Sequence, residues 1–157
     1  MKLKLLAIGK IKREAFQQLA QEYERRIRRF QPFEVIEIPD EKVGAKAEIP
    51  KVLRREAERV EKHLKKDAHL VVLDEHGEQW SSIDLSWELG QWFHHSPSEI
   101  AFLVGGAFGL DEELKKRAEV RWSLSKLTLP HQLARVLTLE QLYRALTILK
   151  NVPYHHE

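Results

Sequence analysis

The chain of 157 residues contains no cysteine. This absence excludes thiolate nucleophiles, cysteine-ligated zinc sites and redox pairs, and it is typical of proteins in the reducing cytosol. No apolar run approaches the ~18 residues of a membrane span, and the apolar stretch from Leu5 to Ile8 is shorter than the ~7–15 residues of a signal-peptide core. These absences predict a soluble cytoplasmic protein without membrane contact.

Segments that would divide the chain are missing as well. Only 7 glycines and 6 prolines occur, and no repeat, low-complexity tract or flexible linker separates one part from another. A chain of this length buries roughly 68–70% of its extended-chain surface, so it needs no structural metal to fold. The sequence therefore predicts a single domain over residues 1–157.

Charge is nearly balanced over the whole chain but not along it. Residues 1–66 carry 18 Lys and Arg against 11 Asp and Glu, whereas residues 67–157 carry 8 against 13. A basic first half predicts a surface that binds a polyanion, with nucleic acid as the leading partner. The alternative is an ordinary solvated helix surface.

Strand-like and helix-like segments alternate along the chain. Hydrophobic spacing and flanking glycine or proline predict strands over 2–8, 33–38, 69–73, 100–104 and 120–124. Helices are predicted over 13–30, 47–64, 83–93 and 132–151, with a short one from Asp111. This alternation predicts an α/β fold with a parallel-rich sheet and helices on both faces.

The final predicted helix is apolar around nearly its whole circumference, whereas a surface helix has one apolar stripe. Such a helix needs two packing partners. We expect the sheet to be one and a second subunit to be the other, which predicts a homodimer through residues such as Leu139 and Leu146. The alternative is a helix at the centre of its own chain.

Glycines cluster after the fourth predicted strand, at Gly105, Gly106 and Gly109. The chain has no G-x-G-x-x-G or Walker A sequence, which argues against dinucleotides and nucleoside triphosphates. Ligands of open α/β sheets bind beyond the carboxyl ends of strands, where glycines permit positive φ and leave room for a flat ring. Without a ligand, the same glycines indicate a tight turn. Residues 121–131 are too apolar for a free loop and favour a buried loop around a ligand.

Several segments together resemble the ribosomal large-subunit methyltransferase H family of the SPOUT class. They are Ile8-Gly9, the run from Phe102 to Gly109, W-S-L-S from Trp122, L-T-L-P-H from Leu127, the stretch from Leu133 to Ala145, and N-V-P-Y-H-H-E from Asn151. The resemblance spans essentially the whole chain. It implies a SPOUT-type α/β methyltransferase with a C-terminal trefoil knot that works as a homodimer.

The resemblance also implies a reaction, in which a methyl group passes from S-adenosylmethionine to N3 of a pseudouridine in 23S rRNA. The substrate would be the ribosome or its large subunit, and no metal would be required. The implied cofactor contacts are Leu73, Gly105, Leu124, Ser125, Lys126, Leu127, Thr128 and Leu129. Apolar walls with backbone donors suit a neutral adenine better than a phosphate cradle would.

Candidate catalytic residues lie near the C-terminus. Arg144 is expected to hold the substrate phosphate or stabilise the developing ring anion, with an ion pair to Glu140 as the alternative. Tyr154 could stack on an extruded base, and His155 could take the imide proton, from its own subunit or from the partner. The alternative for this tail is a frayed end.

Five arginines are expected to bind RNA: Arg25, Arg26, Arg28 and Arg29 through phosphates, and Arg135 with less support. Three functions stay open at this point. They are this rRNA methyltransferase, a methyltransferase of the same class acting on tRNA or another base, and a non-catalytic ribosome-binding module.

Overall fold

The computed structural model describes residues 1–95 and 97–156, and a five-stranded sheet lies at its centre. Every pair of neighbouring strands is parallel. The strands are β1 (Lys2–Ile8), β2 (Phe33–Ile38), β3 (His69–Gln79), β4 (Glu99–Val104) and β5 (Val120–Ser123), in the spatial order β2-β1-β4-β3-β5. The predicted parallel sheet is confirmed. Glu157, the last residue of the predicted catalytic tail, lies outside the described residues.

Five helices pack on the two faces of this sheet. They are α1 (Glu14–Ile27), α2 (Ile49–Glu61), α3 (Ser82–His95), α4 (Glu112–Arg117) and α5 (His131–Leu149). Helices α1, α3 and α5 share one hydrophobic cluster, and α2 and α4 share the cluster on the opposite face. The prediction of helices on both faces is therefore confirmed. Within residues 1–95 and 97–156, none of the helices is both long and apolar enough to cross a membrane.

The central strand β4 shows why strands of this sheet have continuous apolar sequences. Phe102 pairs with Leu5 of β1 on one side and with Val71 of β3 on the other, and all three are fully buried. Both faces of a parallel sheet are covered by helices, so consecutive residues of a central strand are apolar.

β3 is longer than the sequence predicts, because it continues from Leu73 to Gln79. The pairing with β5 breaks after Leu73 and resumes at Glu78 and Gln79. This extension is mostly polar and exposed, so it carries no apolar signal. A β-carbon on Gly77 would lie 2.4 Å from the carbonyl oxygen of Arg121, so only glycine allows this close approach to β5.

The second packing partner of α5 comes from the same chain. α5 packs against α1, α3 and the sheet, and Leu139 and Leu146 are 0% and 1% exposed. The interpretation that these leucines meet a second subunit is corrected here, because they form part of the chain's own core. Leu137 of α5 is 36% exposed, so the chain itself covers most of the apolar circumference of this helix but not all of it.

Candidate active site

A cavity of about 650 Å³ opens at the carboxyl ends of β3, β4 and β5. Its walls are the loop after β4, the loop between β5 and α5, and the polar residues that follow Leu73. Open α/β sheets bind their ligands at this edge, because the connecting loops diverge there. The cavity is therefore the candidate cofactor site.

Of the eight predicted cofactor residues, seven line the cavity: Leu73, Gly105, Leu124, Ser125, Leu127, Thr128 and Leu129. Lys126 does not line it, and its side chain is exposed. The Ser123 hydroxyl donates to the carbonyl oxygen of Ser125 (3.0 Å), and the Leu127 amide donates to Oγ of Ser125 (3.0 Å). These bonds form a tight turn that leaves Lys126 in solvent.

The glycines after β4 form a turn in which the Gly109 amide donates to the Gly106 carbonyl oxygen (3.2 Å). The expected positive φ occurs at Gly109 (85°), not at Gly105 or Gly106. A β-carbon on Gly105 would lie 2.8 Å from the Gly109 carbonyl oxygen and 3.0 Å from Cγ of Leu110. Gly105 is thus required because the loop folds closely onto itself, whereas the sequence suggested positive φ and room for a ring.

One wall of the cavity carries a buried carboxylate, Asp74, whose side chain is 3% exposed. Its Oδ2 accepts from Nε (2.9 Å) and Nη2 (2.5 Å) of Arg121, and its Oδ1 accepts from the His76 amide (3.1 Å). Nζ of Lys115 lies 3.9 Å from Oδ2. Burial alone would raise the pKa of Asp74, but the His76 amide, Arg121 and Lys115 together lower it.

The cavity suits a cationic nucleoside better than a polyphosphate. Its charged lining includes the carboxylates of Asp74, Glu75 and Glu112, against the single lysine Lys115. Trp122, buried at the cavity, has an indole N–H with no hydrogen-bond partner in the described part of the chain. Leucine side chains supply an apolar wall for a neutral base. These groups fit S-adenosylmethionine, which carries a sulfonium and an ammonium group beside its adenosine.

The three catalytic candidates come together on another side of α5. The Tyr154 hydroxyl donates to Oε1 of Glu140 (3.0 Å), which also accepts from Nε (2.9 Å) and Nη2 (2.5 Å) of Arg144. Nη1 of Arg144 lies 3.2 Å from Nδ1 of His155. The guanidinium carbon of Arg144 lies 4.7 Å from the Tyr154 ring centroid. The tail is therefore packed rather than frayed, and the alternative Arg144–Glu140 ion pair is formed.

We call Glu140, Arg144, Tyr154 and His155 the tail cluster. Burial and neighbouring groups shift the pKa values of Tyr154 and Arg144 in this cluster. Burial raises the pKa of Tyr154, and hydrogen bonds with Tyr23 and Glu140 raise it further. The hydrogen bond to Glu140 raises the pKa of Arg144. The ring of Tyr143 packs edge-on against Tyr154, with the centroids 4.6 Å apart. At neutral pH the cluster thus presents a neutral phenol beside a guanidinium cation.

The tail cluster and the cavity are separated within one chain. Ala134 lines the cavity, and Arg144 lies ten residues further along α5, which is about 15 Å at the helical rise of ~1.5 Å per residue. Glu140, which binds Tyr154, follows Ala134 by six residues and so points roughly 240° around the axis. One chain therefore does not bring its own catalytic candidates to its own cofactor cavity.

Three of the predicted RNA-binding arginines share a depression of about 370 Å³, which is lined by Glu22, Arg25, Arg26, Arg29 and Tyr143. Arg26 pairs with Glu22, and its guanidinium carbon lies 5.5 Å from the Tyr143 ring centroid. Arg25 and Arg29 are exposed and have no ion pair with any described residue. We call this surface the arginine depression; it adjoins the tail cluster through Tyr143.

Arg28 and Arg135 lie elsewhere. Arg28 donates to the Phe33 carbonyl oxygen (3.1 Å) and pairs with Glu24 (3.4 Å). Arg135 is 7% exposed, and its Nη1 donates to Oε2 of Glu37 (2.9 Å). The structure therefore does not place Arg135 on the surface with the other arginines.

Sequence reasoning missed Asp74 and Lys115 in the cavity, and it considered Glu140 only as an alternative partner of Arg144. Asp74 directly follows the apolar part of β3, so the rule that ligands bind at strand carboxyl ends could have found it. Lys115 and Glu140 lie on helices among many other charged residues, where no local pattern separates them.

A model of the family described as predicted SPOUT methyltransferase matches residues 1–155. A curated relative from Geobacter metallireducens, ribosomal RNA large subunit methyltransferase H, is 45% identical over 156 residues, which cover 99% of each chain. A probable methylase family protein from Haemophilus influenzae aligns with a TM-score of 0.57 at 12% identity, covering 99% of this chain and 70% of that one. A methyltransferase-like protein from Legionella pneumophila, whose structure contains the bound cofactor SAM, aligns with a TM-score of 0.51 at 11% identity. The alignment covers 92% of this chain and 66% of that one. The two structures support the fold.

Proposed function

The chain belongs to the SPOUT methyltransferases and, within them, to the family of the ribosomal RNA large subunit methyltransferase H proteins, and on this premise we propose what it does. It is an S-adenosylmethionine-dependent enzyme that methylates N3 of a pseudouridine in 23S rRNA of the large ribosomal subunit. It acts in the cytoplasm, as one domain over residues 1–157. The trefoil knot that the resemblance implies stays a prediction.

The observation that carries this proposal is the cavity at the carboxyl edge of the sheet. Leu73, Gly105 and the loop from Leu124 to Leu129 meet there, although they are distant in sequence. Their apolar side chains and backbone groups suit an adenine, and the acidic lining favours a cationic ligand. Seven of the eight residues that the resemblance assigns to the cofactor lie in this one cavity.

The cofactor, when bound, supplies a methyl group on a sulfonium, which is already a good leaving group. The remaining task of the protein is to align the target nitrogen and to help it lose its proton. Arg144, cationic at neutral pH, is placed to stabilise negative charge on the base. Tyr154 and His155 offer hydrogen-bonding groups to the flat base beside it.

The arginine depression supports binding of RNA next to these residues. Arg25 and Arg29 are four residues apart on α1 and its C-terminal extension, so two like charges lie side by side without an acidic partner among the described residues. Such a pair is mildly destabilising by itself and favours a bound anion. Phosphates of an rRNA strand are the anions that the proposed reaction brings to this surface.

In a homodimer, the tail cluster of one subunit could lie at the cavity of the other, although the two are separated within one chain. Phe108 and Leu127 line the mouth of the cavity and are 52% and 72% exposed, so they present apolar surface that a partner can cover. The tail cluster of the same chain lies about 15 Å along α5 from the cavity-lining Ala134. We infer that the partner subunit supplies Arg144, Tyr154 and His155 to each cofactor cavity.

The function is tested by incubating the protein with methyl-labelled S-adenosylmethionine and, separately, intact ribosomes, large subunits, free 23S rRNA and tRNA. We expect label in 23S rRNA from ribosomes or large subunits, at a pseudouridine. Label in tRNA alone would support a different substrate within the same class. Cofactor binding without transfer to any of these RNAs, or no cofactor binding by calorimetry, would contradict the proposal.

A further inference from the structure

Glu140 joins Arg144 and Tyr154 through a single carboxylate. Its Oε1 accepts from Nε and Nη2 of Arg144 and from the Tyr154 hydroxyl, and its Oε2 accepts from Nε2 of Gln141 (2.7 Å). The side chain is only 14% exposed. An ordinary ion pair between residues four apart on a helix surface would leave the acceptor largely in water.

We propose that Glu140 is a positioning residue of the methyl transfer, which fixes the Arg144 guanidinium and holds the hydrogen of the Tyr154 hydroxyl, so that the oxygen presents a lone pair to the base. This role rests on the proposed function, because it assumes that Arg144, Tyr154 and His155 contact the substrate base. Glu140 itself does not touch the base.

The direction of the Tyr154 hydrogen bond decides what its oxygen can do. A tyrosine hydroxyl has one hydrogen to donate and two lone pairs that accept. Because the hydrogen is donated to Glu140 and the hydrogen bond with Tyr23 uses one lone pair, the other lone pair is available to accept the N–H of the imide in the target base. Without Glu140, the hydroxyl could rotate and donate to a base carbonyl instead, which would present the wrong partner to the nitrogen.

Arg144 is held in the same way. Two of its N–H groups are used on Oε1 of Glu140, which fixes the plane of the guanidinium. Nη1 then lies 3.2 Å from Nδ1 of His155. Arginine can only donate, so Nδ1 of His155 is the acceptor in this contact. One carboxylate therefore orients Arg144 and Tyr154, and Arg144 in turn contacts His155.

Glu140 is itself anchored from a second helix. Oε1 of Gln141 accepts from the hydroxyl of Ser82 (2.6 Å), which begins α3, while Nε2 of Gln141 donates to Glu140. The carboxylate is thus connected to both α5 and α3. Ser82 and Gln141 therefore hold the Glu140 carboxylate in one position, unlike a mobile surface side chain.

The test compares Glu140→Gln with Glu58→Gln, a control that removes the Arg54 partner four residues away on α2. We expect Glu140→Gln to lower kcat on ribosomes about 100-fold, as misplaced catalytic groups do, with little change in KM or in cofactor affinity. The control should leave kcat unchanged. Addition of Tyr154→Phe to Glu140→Gln should cost much less than it does in the wild type, since both changes affect one contact.

A spectroscopic readout tests the contact without any methylation. Glu140 raises the pKa of Tyr154, so Glu140→Gln should let one of the three tyrosines ionise at lower pH in an ultraviolet titration. An unchanged titration, an unchanged kcat, or full additivity with Tyr154→Phe would each overturn the role of Glu140. Wild-type protein that binds the cofactor but methylates no rRNA would instead overturn the proposed function, whatever the titration shows.

Discussion

At the residue scale, Asp74 shows how a buried charge is tolerated in a cavity wall. The carboxylate accepts hydrogen bonds from Arg121 and the His76 amide, so it remains ionised although its side chain is almost fully buried. Replacing the carboxylate by an amide removes one of its two acceptor oxygens, and a buried donor left without an acceptor typically costs about 1–3 kcal/mol.

Asp74→Asn should therefore lower the free energy of unfolding at neutral pH, measured by urea denaturation. The pKa of Asp74 is lowered in the fold, so its stabilising contribution is present above the unfolded value of about 3.9 and is lost as the pH falls through the folded value. The difference between wild type and variant should hence shrink in acid below about pH 4. A difference that stays constant down to pH 2 would show that Asp74 does not act through its charge.

The sequence predicted which residues line the cavity better than it predicted the geometry of the tail cluster. Most of the predicted residues lie in one short segment, Leu124 to Leu129, so a local resemblance can identify them together. The role of Glu140 depends instead on a tail that folds back over 14 residues, and the difference between free Arg29 and paired Arg28 depends on which acid lies nearby. These are properties of the folded chain, and no spacing in the sequence encodes them.

At the element scale, the extension of β3 depends on close backbone contact with β5. Gly77→Ala should destabilise the protein by about 1–3 kcal/mol, because the added methyl group would lie 2.4 Å from the Arg121 carbonyl oxygen. Gly44→Ala is the matched control, since a β-carbon there meets nothing within 4 Å. Equal midpoints of urea unfolding for the two variants would contradict this account of the strand.

The C-terminal tail makes the second prediction at this scale. Deleting residues 153–157 should abolish methylation of ribosomes while sparing folding and most of the cofactor affinity, because the described part of the tail, residues 153–156, lies outside the core and away from the cavity. Tyr154→Ala and His155→Ala should each reduce turnover strongly, and exposed His156→Ala should matter less. Wild-type turnover by the truncated protein would show that the tail has no part in the reaction.

The regular elements were predictable where their hydrophobic pattern was strong. β2 has the predicted bounds, Phe33–Ile38, and the helices differ from prediction by a few residues at their ends. The polar part of β3 was not predictable, because an exposed edge segment carries no apolar alternation. The apolar circumference of α5 was predicted, but the assignment of Leu139 and Leu146 to a subunit interface was wrong, because packing against α1, α3 and the sheet of the same chain buries them.

At the scale of the whole molecule, the proposed dimer shares each active site between two subunits. Two inactive variants should therefore restore each other. Gly105→Val should abolish cofactor binding, since its side chain meets the Gly109 carbonyl oxygen and distorts the cavity wall. The tail deletion should leave the cavity intact.

Mixing these two variants under conditions of subunit exchange should give up to about a quarter of the wild-type activity. In an equal mixture about half of the dimers are then heterodimers, and one of the two sites in each heterodimer is complete. Each variant mixed with itself is the control. Absence of activity in the mixture, or a wild-type protein that sediments as a monomer at micromolar concentration, would contradict the shared site.

Mass mapping of rRNA from cells that lack the protein tests directly whether this chain methylates one pseudouridine of 23S rRNA. The account predicts that one pseudouridine of 23S rRNA loses a single methyl group at N3, and that the wild-type chain restores it whereas the Tyr154→Ala variant does not. A 23S rRNA whose methylation is unchanged in those cells would contradict the account.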